Sequence, residues 1–173
     1  GVDEMRQYKN PAVLMPERSM AVYAYAIFCS KRNYNNIHSS QYGIKAVVNN
    51  IYTVGDYFFI DFSLYNKTKI KYDIAELRIK LTDKKETKAT NSQTIELSPV
   101  YSLNSAKSFK KAYRNVIVVN KLTFPNEKSR RLELSENQMS GRVVYIPIEY
   151  EDILNADSFD ENLLNHLPYN IRK

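Results

Sequence analysis

The sequence predicts a mainly β protein: an antiparallel, immunoglobulin-like β-sandwich with an N-terminal helix and a short C-terminal helical or extended tail. Three observations predict it. From residue 44 onward apolar residues recur with period two, the spacing of a strand with one face inward. Turn-forming residues interrupt that pattern at short intervals, giving about six to eight short strands. The aromatic residues are 14 Tyr and 7 Phe with no Trp, and tyrosine suits half-buried strand positions and interfaces, with an apolar face and a polar tip. The chain divides into a lead-in and helix (1–43), a sandwich (44–150) and a tail (151–173).

Residues 1–16, with Pro11 and Pro16, read as a loose lead-in. Pro16 followed by Glu17 suits a helix start, with the imide at the first turn and an acid at the positive helix end. Met20, Ala24, Ile27 and Lys31 then share one helical face, predicting a helix over about 17–31. "IKAVVNNIYTVGDYFFIDFSLYN" reads as a hairpin turning at Val54-Gly55-Asp56. Phe58, Ile60, Phe62 and Leu64 lie on one face; Tyr57, Phe59, Asp61, Ser63 and Tyr65 lie on a second face expected to be partly wet.

Asn66-Lys67-Thr68 forms a polar corner. It matches a glycosylation acceptor, but turn formers are needed there in any case. Beyond it, Ile70, Tyr72 and Ile74 hold even positions and Leu77, Ile79 and Leu81 odd ones. A strand can flip its apolar face only through a bulge or bend, placed here at Ala75-Glu76. Residues 82–93 read as a charged loop. Residues 94–103 form a strand that Pro99 confines to an edge or ends. Val116–Val119 read as a buried central strand, followed by a Pro125-Asn126 turn. "RRLELSE" and "GRVVYIPIEY" supply two more strands. Val144, Ile146, Ile148 and Tyr150 share a face of the last, and Pro147 makes it an edge. In the tail, Ile153, Leu154, Leu163, Leu164 and Leu167 predict a short helix or a clinging extension.

Chemistry-bearing patterns are sparse. The histidines are His38 and His166, read as surface residues without a partner at metal-ligand spacing. Cys29 is the single cysteine, so no internal disulfide forms, and its apolar run reads as burying it. With 4 Gly there is no glycine-rich phosphate loop. No nucleophile elbow stands out, and no cofactor, metal or catalytic residue is assigned. Asp61, inside the most apolar strand, is read as a solvent-facing aspartate rather than a general base. No apolar run is long enough to span a membrane as a helix. The chain opens on Gly1-Val2-Asp3, and a native signal peptide is expected to have preceded it.

The net charge is +6, and it is unevenly spread. Eight basic residues between 107 and 131 (Lys107, Lys110, Lys111, Arg114, Lys121, Lys128, Arg130, Arg131) face Glu127 alone, whereas 149–161 holds six acids and no base. With Tyr101, Phe109 and Tyr113 interleaved, the basic middle has the makings of a nucleic-acid track. A basic body meeting its own or a neighbour's acidic tail is the preferred reading.

The order of several phrases resembles the TraN family of conjugative transposon proteins from Bacteroides-type bacteria, over roughly residues 17–150. The resemblance rests on Asn66, Thr68, Tyr72, Asp73 and Ile74, then on Asp83, Lys84 and Lys85. It continues through Lys121, Thr123, Pro125, Asn126 and Lys128 to Glu136, Gly141 and Arg142. The chain departs from the family pattern at Lys88-Ala89-Thr90, Gln93-Thr94 and Ser140, departures that bear on loop details more than on the fold. The resemblance implies a non-enzymatic component of a conjugative DNA-transfer apparatus, in the periplasm or at the outer membrane. More distantly, the architecture is similar to the sandwich domains of outer-membrane rings in type IV secretion systems. The implied partners are other conjugation proteins, a small outer-membrane lipoprotein and further copies of the chain, with no direct nucleic-acid contact. Ring subunits need two complementary surfaces. Lys107, Lys110, Lys111, Arg130 and Arg131 are candidates for one, and Glu151, Asp152 and Asp157 for the other. The rival reading is a periplasmic or surface sandwich that binds nucleic acid or an extracellular ligand.

Overall fold

The computed structural model describes residues 15–83, 94–121, 128–136 and 141–167. The element order is α1 (Glu17–Cys29), β1 (His38–Gln41), β2 (Ile44–Val54), β3 (Tyr57–Asn66), β4 (Tyr72–Asp83), β5 (Thr94–Leu97), β6 (Tyr101–Ser102), β7 (Ser108–Phe109), β8 (Ala112–Asn120), β9 (Lys128–Glu136), β10 (Val143–Ile148), α2 (Tyr150–Leu154), β11 (Asp157–Ser158) and a 3-10 turn over Glu161–His166. The strands form two sheets, ordered β1-β2-β3-β8-β6 and β10-β9-β4-β5; β11 adds to β2 and β7 to β4. All pairings are antiparallel except β11 with β2. The predicted β-sandwich with its helix and tail is what the chain forms. Among the described residues no helix is long and apolar enough to cross a membrane.

The core between the sheets follows from the two-residue period. Phe58, Ile60, Phe62 and Leu64 of β3 meet Leu132 and Leu134 of β9 and Val144, Ile146 and Ile148 of β10. The opposite face of the first sheet departs from expectation. Tyr57, Phe59, Asp61 and Ser63 are buried rather than partly wet. The face is apolar along Tyr52, Phe59, Val116 and Val118, and Met20, Ala24 and Ile27 of α1 lie across it. The first sheet is therefore the middle of three layers, which explains why β3 is apolar on both faces.

The helix ends at Cys29 with Pro16 as its N-cap, so Pro16 stands just outside the first turn and Lys31 beyond the last. Cys29 is exposed, a correction: it closes the helix on the side turned away from Ala24 and Ile27.

The corner after β3 is built by Asn66. Its Oδ1 accepts from the Thr68 backbone N–H at 2.9 Å and the Thr68 hydroxyl at 2.6 Å, and its Nδ2 donates to the Ile70 carbonyl at 2.8 Å. This side-chain-closed turn answers the sequon with a structural role: the amide nitrogen a glycan would need is already donating. Ile70 sits in this corner, 64% exposed, and not on the inward face of β4. The expected flip falls where the register of β4 against β9 shifts, between Ile74 and Glu76. The bulge lets Tyr72 and then Ile79 and Leu81 all point inward.

Gly43 closes the β1–β2 turn at φ +76°, and a Cβ there would stand 2.7 Å from Thr68 Cγ2. Thr68 cannot swing aside without breaking its bond to Asn66. Gly43→Ala is therefore expected to destabilise the domain by about 1–3 kcal/mol, read as a lowered urea midpoint.

β5 ends before Pro99 and lies at the edge of the second sheet; the chain then crosses to β6 in the first. Val116 to Val119 form the buried middle of β8, as expected. β10 is an edge, also as expected, but ends at Ile148, and Tyr150 opens α2. The charged loop from residue 84 on and the Pro125-Asn126 turn lie outside the described residues.

One strand was not legible in the lead-in. β1, the polar "HSSQ", pairs with β2 and lies beside β10. Gln41 Oε1 accepts from the Tyr145 backbone N–H at 3.0 Å, and the Ser39 hydroxyl donates to the Tyr145 carbonyl. Pro147, the next residue of β10 facing that way, has no N–H. Side chains thus stitch the two sheets together along this flank.

The tail closes over the outer edge of β2. α2 carries a capping box between Glu149 and Asp152 and buries Ile153. β11 pairs with Tyr52 and Thr53, and the Phe159 ring packs edge-on against Tyr23 at 4.9 Å and Tyr52 at 6.2 Å.

Candidate functional site

The most concentrated chemistry lies beneath the C-terminal end of α1. The pairing of β2 with β3 slips between Val48 and Asn50, so Asn49 is an extra residue. In a regular strand Asn49 and Asn50 would point to opposite faces; the bulge turns both amides toward one neighbour. That neighbour is Asp61, which is 0% exposed, so its reading as a solvent-facing aspartate is overturned. Alternation had placed it on the correct face, but that face is covered by α1.

Asp61 is fully satisfied. Oδ1 accepts from Asn49 Nδ2 and Arg114 Nε, each at 3.0 Å. Oδ2 accepts from Asn50 Nδ2 at 3.0 Å and Arg114 Nη2 at 2.7 Å. Asn49 Nδ2 also donates to the Ser63 hydroxyl at 2.8 Å. The fork-on-fork geometry suits a guanidinium against a carboxylate. The hydrogen bond to Asp61 raises the Arg114 pKa, so the guanidinium stays charged. The Arg114 guanidinium also stacks 4.5 Å from the Phe28 ring centre. Arg114, counted in the basic strip, is thus neutralised within the fold.

Two clefts open onto this network and share Arg32 and Tyr65 as a wall, the Arg32 Nη1 donating to the Tyr65 hydroxyl at 2.7 Å. One, about 290 Å³, is lined by Phe28, Tyr113 and Arg114. The other, about 400 Å³, is lined by Tyr34, Lys45 and Asn49. Tyr34 donates to Asp157 Oδ2 at 3.2 Å. Burial, and next the Asp157 carboxylate, push its phenol up to about 12. Burial pushes the Tyr113 phenol up to about 12 as well.

These phenols carry a pH prediction. An unfolded tyrosine titrates near 10. The fold favours the neutral form, so its contribution is complete below about pH 10 and lost as pH rises toward about 12. Urea midpoints are expected to fall across that window, and Tyr34→Phe with Tyr113→Phe to make the fall shallower.

A second cluster clips the sheet corner. Arg142 Nε and Nη2 each donate to Glu136 at 2.6 Å, and Nη2 also reaches the Lys71 carbonyl at 3.1 Å. The Tyr72 hydroxyl lies 2.8 Å from both the Leu134 and Arg142 carbonyls, with one proton to offer. The guanidinium stands 5.3 Å from the Tyr72 ring centre. Burial, then Glu136, raise the Tyr72 pKa, keeping the ring neutral. The Glu136 carboxylate is wholly buried.

The predicted interface residues do not converge. Lys107, Lys110 and Lys111 are exposed around β7 and the start of β8. Arg130 and Arg131 lie in β9, paired across to Ile148 and Pro147. Glu151 is exposed on α2, whereas Asp152 belongs to the capping box and Asp157 receives Tyr34. His38 is exposed, as read. Among the described residues no group of three or more His, Cys, Asp or Glu side chains could hold a metal ion. The Asn49-Asn50-Asp61-Arg114 network was missed. Its one signal was a charged residue in the centre of the most apolar strand.

A family described as a domain of unknown function, DUF4138, matches residues 17–158. The chain belongs to that family. No curated protein and no solved structure matches the chain. The DUF4138 match runs from the first residue of α1 to the last of β11, so it contains the Asp61 network, both clefts and the Glu136–Arg142 clip. In this DUF4138 domain, Phe159 and the 3-10 turn lie beyond the matched residues.

Proposed function

We propose that this DUF4138 domain is a non-enzymatic assembly component of a conjugative DNA-transfer apparatus in the cell envelope, acting through protein–protein contacts in the periplasm or at the outer membrane. One observation carries the reading. Residues that bear the resemblance to the TraN family and are distant in sequence meet in space. Asn66 and Thr68 shape the corner, and Tyr72, Glu136 and Arg142 lock it. They act on the shape of the sandwich, which suits a protein whose task is to present fixed surfaces. The exposed Lys107, Lys110, Lys111 and Glu151 are residues such surfaces would use.

The test is recovery of the tagged full-length protein, in mild detergent, from donor cells carrying the whole transposon, with partners identified by mass spectrometry. Co-purification of other transfer proteins in a large complex supports the reading. A lone monomer, together with undiminished DNA transfer after deletion, overturns it. Salt-dependent retention on DNA would favour the ligand-binding rival instead.

A further inference from the structure

We propose that the two clefts, which share Arg32 and Tyr65, together bind the C-terminus of an extended peptide, with its carboxylate held by Arg32 and Arg114. The inference deepens the assembly reading by naming the chemistry of a partner, and rests on that reading only for the partner's source.

The argument begins with the orientation of the buried network. Asp61 engages Nε and Nη2 of Arg114, and Nη1 makes no hydrogen bond among the described residues. Arg114 lines the smaller cleft. Among the described residues Arg32, on the shared wall, uses only Nη1, on the Tyr65 hydroxyl. The smaller cleft therefore holds two guanidiniums with donors to spare, one of them fixed by a buried carboxylate. Planar forks of this kind match a carboxylate.

Asn49 supplies the complementary group. It is 1% exposed, and its Nδ2 is committed to both Asp61 and Ser63. That double commitment fixes the flip of the amide. Its Oδ1 accepts no hydrogen bond among the described residues, and Asn49 lines the larger cleft. An acceptor positioned this way takes an N–H. Asn49 Nδ2 and Arg114 Nε bond to the same Asp61 oxygen, so the two side chains are neighbours.

A peptide C-terminus carries this set on one residue: a carboxylate and, two bonds from its carbon, a backbone N–H. The apolar wall of Phe28 and Tyr113 in the smaller cleft is suited to an apolar terminal side chain. Asn35 and Lys45 beside the larger cleft would face the preceding polar main chain. A phosphodiester would satisfy the arginines but leave the Asn49 acceptor unused. A neutral saccharide would leave the guanidiniums unmatched.

The test is a titration of the 15N-labelled full chain with acetyl-Gly-Ser-Ala-Gly-Leu as free acid, with the same peptide as C-terminal amide, and with inorganic phosphate. Saturable shifts of the Arg32 and Arg114 Nε–H and the Asn49 side-chain amide are expected with the acid. The amide is expected to bind at least tenfold more weakly. Arg32→Gln, at a surface residue whose loss leaves the Asp61 pair intact, is expected to weaken the acid about tenfold with an unchanged urea midpoint. Equal binding of acid and amide, no shifts at these three residues, or phosphate binding as tightly as the acid would each overturn the proposal. Peptide binding without any transfer complex in cells would leave this inference standing while the assembly reading fell, so the two failures are distinguishable.

Discussion

Asp61→Ala is expected to destabilise the domain by about 3–5 kcal/mol, the scale for removing one partner of a buried ion pair. The loss exceeds that of a missing contact. Arg114 remains beneath α1 with two of its nitrogens unsatisfied, and the Asn49 and Asn50 amides lose their acceptor. Against a total stability of about 5–15 kcal/mol, this is a large fraction, and the urea midpoint should show it. Asp61→Leu combined with Arg114→Met should cost less than the sum of the single changes, because no unpaired charge is left behind. A double-mutant cycle reads that coupling directly. Strict additivity would mean that the two side chains do not act as a pair.

Arg142→Ala should rank second, at about 3 kcal/mol. It leaves the buried Glu136 carboxylate without its two 2.6 Å bonds and removes the cation from the Tyr72 ring. Arg142→Lys keeps the charge but loses the fork, so an intermediate loss is expected. Hydrogen exchange should localise both effects at the Glu136–Val143 end of the β9–β10 pair and at the start of β4. An equal loss of protection across the first sheet would argue against a local clip.

Much of the fold was legible because its determinants are local. The alternation in β3, the Val54-to-Asp56 turn, the face flip at Ala75 and the edge proline of β10 are each contained in a few neighbouring residues. What failed was of another kind. Alternation told which face Asp61 occupies, but not that a helix more than thirty residues earlier covers that face. The same ignorance of cover misplaced Cys29. β1 was hidden because "HSSQ" is polar: it is held by pairing with β2 and by side-chain bonds to β10. The Asp61 site needed the bulge at Asn49, and two adjacent asparagines in a strand point to opposite faces until the register on β3 is known. Glu136 and Arg142 were marked by the family resemblance as separate points; their ion pair appears only once β9 and β10 run side by side.

The stitched flank has a consequence for how copies of this domain can meet. On β10 the Tyr145 main-chain groups that would template another strand are answered by Gln41 and Ser39, and Pro147 has no N–H to offer. Growth of a continuous intermolecular sheet requires each added copy to offer a fresh edge on its far side, and along β10 that edge is interrupted at Tyr145 and Pro147. Joining through the other flank would therefore favour a terminating step, in which two copies cap each other, over growth of a fibre.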